Sequence, residues 1–209
     1  MKFYDCSTAP SPRRVRIFIA EKGLEIDTVQ VDLRGGEHLG EAFRKLNPLC
    51  TVPVLELDDG TTLWDSNAIC LYLEAMFPEP NLLGRDAREI GVVASWNRIM
   101  EVDGFAPAAD VLRNTAKGMV NRALTGPVDY EQIPALAERG RKRVRHFLDM
   151  LDKRLGESSY VAGDRFTVAD ITGVVAVDFA AWTKETIPEG AVNLKAWHER
   201  VSARPGVVA

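Results

Sequence analysis

Apolar and polar positions set two rhythms along the chain, and up to Met76 short β-rich runs take turns with helical ones. Residues 2–5 read as a short strand, and 11–22 as a helix closed by Gly23. A second strand is expected at about 26–32, followed by an irregular stretch rich in glycine and charge. Runs at 52–57 and 61–64 flank Asp58-Asp59-Gly60, and Asp-Gly between apolar runs signals a hairpin. Over 65–76, Ala68, Ile69, Tyr72 and Met76 recur at helical spacing. The order β-α-β, gap, hairpin, helix suits a small mixed sheet with helices on its faces.

The rhythm changes at Phe77-Pro78-Glu79-Pro80-Asn81, where the prolines end one helix and stiffen a connector. Beyond Gly84 the period is helical throughout, over 87–114, 133–155, 168–183 and 194–203. The chain thus divides into an α/β domain, 1–80, and an all-α domain, 87–209. In the second, Thr167 stands at an N-cap with Asp170 three residues on, and Phe166 and Ile171 occupy the staple positions. Asp170 is read as structural.

Composition narrows the function classes. In 209 residues, 46% apolar and 27% charged, the formal charge is -4, which disfavours nucleic-acid binding through a surplus of Lys and Arg. The N-terminus lacks an apolar run of signal-peptide length. The most apolar later segment, 171–182, contains Asp178 and falls short of the ~20 residues that span a bilayer. Cys6, Cys50 and Cys70 have no metal-ligand spacing and read as reduced thiols. A cytoplasmic protein with no metal, nucleic-acid or membrane partner is expected.

Candidate chemistry sits at two helix starts. Ser11 suits an N-cap and Pro12 the first turn, yet Arg13, Arg14 and Arg16 crowd the positive end of that helix. Either they are solvated or paired with acids, or the helix start holds an anion. At the second start, Asp65 or Ser66 caps a helix, and the spare donors there can also hold an amino-acid carboxylate while Asp65 receives its ammonium. Between them, Pro53 heads a strand; a cis Val52–Pro53 bond would turn the Val52 N–H and C=O outward toward an extended ligand.

These segments together resemble the glutathione transferase superfamily over essentially the whole chain. The motifs are Pro-Arg-Arg-Val-Arg-Ile with Ala20-Glu21-Lys22-Gly23, Leu46-Asn47-Pro48, Thr51-Val52-Pro53-Val54-Leu55 and Asp65-Ser66-Asn67-Ala68-Ile69. Tyr160-Val161-Ala162-Gly163-Asp164, Phe166-Thr167-Val168-Ala169-Asp170, Trp197-His198-Glu199-Arg200 and Ala203-Arg204-Pro205 complete the series. The resemblance implies a thioredoxin-like glutathione-binding domain followed by a helical domain, glutathione as co-substrate, and a homodimer. It makes Pro53 the cis-proline and gives Val52 the cysteinyl backbone and Asp65 and Ser66 the γ-glutamyl head. It brings His38 to the glycyl carboxylate, where a plain surface histidine is the other reading.

Alanine occupies the usual serine position, at Ala9. The chain is most like atypical bacterial and fungal members that lack the usual catalytic Tyr, Ser or Cys, where the first helix's N-terminus stabilises the thiolate. Thiols at helix N-termini or beside cations fall from ~8.5 toward ~3.5–7.5. Ser11 is the candidate donor, by hydroxyl or N–H, or else only a cap; Arg13 or Arg14 adds to the field. An apolar electrophile is expected between the domains, with Phe105 and Trp182 as walls or as core, and a kink at Gly104 and Pro107 opening the pocket. The expected reaction is conjugation to an electrophile or reduction of a peroxide or disulfide. A glutathione-dependent isomerase or dehalogenase and a non-catalytic glutathione-binding regulator are the alternatives.

Overall fold

The computed structural model describes residues 1–208. Its first part is a four-stranded sheet in the order β2-β1-β3-β4, formed by β1 (Lys2–Asp5), β2 (Asp27–Gln30), β3 (Val54–Glu56) and β4 (Thr62–Leu63). Helix α1 (Pro10–Glu21) makes the crossover between the parallel pair β1 and β2. β3 runs antiparallel to both β1 and β4. Asp59 accepts the Thr61 N–H, and Gly60 takes φ +83 in the turn, so the Asp-Gly hairpin forms as expected. Helix α3 (Ser66–Met76) packs against α1.

The strands are shorter than their apolar runs. Val52 and Pro53 lie outside β3, and Ile26 and Val31 outside β2. The stretch expected to be irregular holds a 3-10 turn (Glu37–Leu39) and helix α2 (Glu41–Leu46). Neither element has a side-chain cap, and Phe43 alone of α2 is buried. So short a helix shows no amphipathic period in the sequence.

The second part consists of α4 (Ala87–Ile99), α5 (Ala106–Arg113), α6 (Pro134–Glu157), α7 (Val168–Ala181), α8 (Val192–Ser202) and α9 (Pro205–Val208). The helix expected over 87–114 does not keep α register throughout; it slips into π register over Met100–Phe105, beside the kink expected at Gly104 and Pro107. Pro107 has no N–H for the Asp103 carbonyl four residues back. Gly104 lets α6 approach: a Cβ there would stand 2.5 Å from the Phe147 ring.

The most apolar segment belongs to α7, the core helix, buried from Val168 to Val177. No described helix is long and apolar enough to cross a membrane. Asp170 is fully buried at its start: one carboxylate oxygen accepts the Val161 N–H and Trp197 Nε1–H, the other the Thr167 N–H and hydroxyl. Burial pushes its carboxyl up to about 6, against the pull of these donors.

The two parts are tied at both ends of α1. Past its C-terminus the buried Lys22 ammonium binds within the first part, to Glu74 at 2.7 Å and the carbonyls of Phe77 and Pro80, and the tie to the second part there is Arg204. Arg204 pairs with Glu21. At its N-terminus α1 abuts α7.

Candidate functional site

The start of α1 differs in one residue from the sequence expectation. Ala9, extended and without a side-chain bond, is the N-cap; Ser11 lies inside the first turn between Pro10 and Pro12. This leaves few donors. Pro10 and Pro12 have no N–H, the Ala9 N–H donates to the Cys6 carbonyl at 2.9 Å, and the Arg13 N–H to Ala9 at 3.3 Å. Among the described residues, the Ser11 N–H is the first-turn amide without an in-chain acceptor. The helix dipole therefore emerges through one amide.

The three arginines are each paired with an acid. Arg13 meets Asp178 of α7 at 2.5 Å, and Asp178 also meets His198 Nε2 at 2.7 Å. Burial favours a neutral Asp178, but the bonds from His198 and Arg13 outweigh it and hold its pKa below the usual range. Arg14 is buried against Glu101 at 2.5 Å and stacks over the Phe105 ring. Arg16 meets Asp5 at 2.6 Å and the Cys6 and Ser7 carbonyls. Carboxylates thus account for the crowding of cations.

At the start of α3, Asp65 is the N-cap, accepting the Asn67 and Ala68 N–H groups at 2.9 and 3.1 Å. The buried Ser66 hydroxyl donates to the Ser11 carbonyl at 3.0 Å. The two predicted helix starts therefore touch, 55 residues apart in the chain. Sequence reasoning missed what holds them. Asn67 donates to Glu101 at 2.7 Å and accepts from Asn97, which accepts from Thr172 at 2.6 Å. This polar chain runs from α3 through α4 to α7, and no local pattern announces such distant partners.

The Val52–Pro53 bond is cis. Among the described residues the Val52 N–H and C=O find no partner in the chain. Asn47 fixes the preceding turn through its amide donors to the Thr51 carbonyl and hydroxyl.

A small cleft of about 70 Å³ opens beside the α1 start, lined by Ser7, Thr8, Ala9, Pro10 and Arg13 on one side. Val175, Asp178, Phe179 and Trp182 line the other. Trp182 is 56% exposed here, while Phe105 packs behind on Phe179 with ring centres 5.2 Å apart. A larger hollow of about 580 Å³, by the edge strand β2, contains none of the predicted site residues. His38 is not on the surface but 5% exposed, in contact with Arg122 of the α5–α6 connection. Among the described residues no cluster of three His, Cys, Asp or Glu is arranged to hold a metal.

Known proteins resemble both halves. Residues 8–76 match the family described as "Glutathione S-transferase, N-terminal domain", and 116–205 that described as "Glutathione S-transferase, C-terminal domain". Glutathione S-transferase 2 of Saccharomyces cerevisiae is 37% identical over 210 residues, covering 99% of this chain and 88% of its own. A maleylacetoacetate isomerase of Pseudomonas aeruginosa is 33% identical over 181 residues, 82% of this chain and 77% of its own. The crystal structure of a glutathione S-transferase domain-containing protein from Marinobacter aquaeolei superposes with a TM-score of 0.91 at 39% identity. It covers 99% of this chain and 100% of the other.

Proposed function

The chain belongs to the glutathione S-transferase family, with glutathione as its co-substrate, and on that footing we propose that the α1 N-terminus activates the glutathione thiol. The observation that carries the proposal is the Ser11 amide without an in-chain acceptor, next in the chain to Pro10, which lines the cleft. The γ-glutamyl head lies on Asp65 and Ser66, and the cysteinyl backbone pairs with the unpartnered Val52 N–H and C=O ahead of Pro53. The thiol then gives its proton to water, and the thiolate accepts the Ser11 N–H at the positive end of α1. Its sulfur attacks an electrophilic carbon, forming C–S as the leaving group departs with its electrons. Trp182, with Phe105 behind it, walls the electrophile. Arg13 lines the cleft, but Asp178 meets its charge there, so the pair holds α1 against α7 and adds no net positive field.

A test is conjugation of glutathione to a nitro-activated aryl chloride by wild type and Ser66→Ala. The expected result is a glutathione KM raised roughly tenfold in the variant, the loss of a hydroxyl that turns from the Ser11 carbonyl to the charged head group on binding. An unchanged KM would remove the head-group assignment.

The isomerase reading has one observation behind it, the likeness to maleylacetoacetate isomerase. It predicts turnover of a cis-enone diacid without net glutathione consumption; the Ser-Ser-Cys run of the isomerase branch is absent before Arg14. Peroxide reduction, a homodimer and a cytoplasmic location complete the proposal.

A further inference from the structure

The outer edge of the sheet is open. β2 stands at one end of the order β2-β1-β3-β4, so it is paired on its inner side, with β1, and no strand lies on its other side. Just beyond it, the Val31 N–H donates to the Asp5 carbonyl of β1 at 2.7 Å. Backbone groups alternate along a strand, so the Val29 N–H also points inward, while those of Thr28 and Gln30 point out. Proline and lysine are the common guards of such an edge, and Asp27-Thr28-Val29-Gln30 contains neither.

The hollow of about 580 Å³ beside this edge is a second, independent feature. Phe3, Ile19, Leu24 and Ile26 give it apolar walls, and its volume falls within the ~300–1,000 Å³ usual for ligand sites. Thr28 lies beside Phe3 in the parallel register, and both line the hollow, so one face of β2 opens onto it. The hollow shares no lining residue with the cleft at the α1 start.

Charge selects the occupant. Arg16 lines the hollow but is already met by Asp5. Glu25 and Asp27 line it too; both are exposed, and among the described residues neither has an ion-pair partner. Lys2, beside Asp27 in the register, is exposed and likewise unpaired, so two carboxylates stand against one ammonium. A second copy docking edge to edge would bring two acidic rims together, a like-charge juxtaposition that disfavours self-pairing. A strand that carries lysine or arginine meets no such penalty.

We propose that the outer edge of β2 and the hollow beside it form a docking site for an extended basic peptide segment of a partner protein. The segment adds a strand to the sheet, pairing its backbone with the outward groups of Thr28 and Gln30. Alternate apolar side chains enter the hollow over Phe3 and Ile26, and its cations meet Glu25 and Asp27.

The probe is a blocked peptide, Lys-Val-Lys-Val-Lys-Val-Lys, titrated calorimetrically into the full chain at low salt, with the Glu-for-Lys peptide as control. The Lys peptide should bind at least ~tenfold more tightly than the Glu peptide. It should also slow amide hydrogen exchange at Thr28 and Gln30 at least ~tenfold. Reversing the rim with Glu25→Lys and Asp27→Lys together, both exposed positions, should invert the preference between the peptides. Thr28→Pro, which removes an outward N–H from an edge strand, should abolish the protection and weaken binding roughly tenfold. If Thr28→Pro does not fold, the Lys peptide N-methylated throughout reads the same backbone pairing from the partner's side, with the same loss expected. Equal affinity for the two peptides would overturn the proposal. So would binding without protection of Thr28 and Gln30, which would leave the hollow as a site for small organic cations. Dispersal of an oligomer by the Lys peptide, seen in sedimentation, would assign the edge to a second copy and overturn it as well.

Discussion

Single residues carry the chemistry, and their states follow from what surrounds them. The Ser66 hydroxyl was legible as a polar group at a helix start, but its acceptor, the Ser11 carbonyl, was not. Ser11 suits a cap by residue type, since Ser outranks Ala there; two prolines around it decide its role instead, by deleting the neighbouring amides. His38 yields a pH prediction. Its folded pKa lies below the unfolded 6.5, so the unfolded chain binds the proton first. Its contribution is full above pH 6.5 and is lost as pH falls through the folded value. Urea unfolding from about pH 7.5 to about 5.5 should lower stability more in wild type than in His38→Gln, without glutathione present. Parallel pH dependence in the two proteins would mean that His38 titrates freely.

Elements with a strong local signal were readable, and those set by tertiary contact were not. The Asp-Gly hairpin and the Thr167–Asp170 capping box are fixed by neighbours a few residues apart, so the sequence displays them. Helix α2 and the π slip over Met100–Phe105 are fixed by what packs on them. At the slip, Gly104→Ala should destabilise by about 2 kcal/mol in urea unfolding, although alanine is the better helix former. Its methyl would meet the fully buried Phe147 ring. Stabilisation instead would show that α6 can yield. Asp170→Ala should cost roughly 3–5 kcal/mol, since it strands the Val161, Thr167 and Trp197 donors in the core. A loss below about 1 kcal/mol would mean that those donors find other acceptors.

Across the whole molecule, α1 is the part on which everything converges. It connects β1 to β2, holds the linker through Lys22, touches α3 through Ser66 and faces α7 across the cleft. Assembly is argued at this scale too. Leu71 and Met76 of α3 and Ile90 and Val92 of α4 are exposed, which suits a twofold interface. Leu71→Glu should shift sedimentation toward the monomer; no change would move the interface elsewhere. On the proposed reading the lone amide of α1 makes glutathione a nucleophile. It is tested most directly by the ultraviolet thiolate band of bound glutathione, followed across pH in wild type, Ser11→Ala and Ser11→Pro. We predict an apparent pKa well below the ~8.5 of a free thiol, little changed in Ser11→Ala and raised toward the free value in Ser11→Pro, which lacks the amide. Glutathione bound without a thiolate band at neutral pH, or an equally low pKa in Ser11→Pro, would contradict the account.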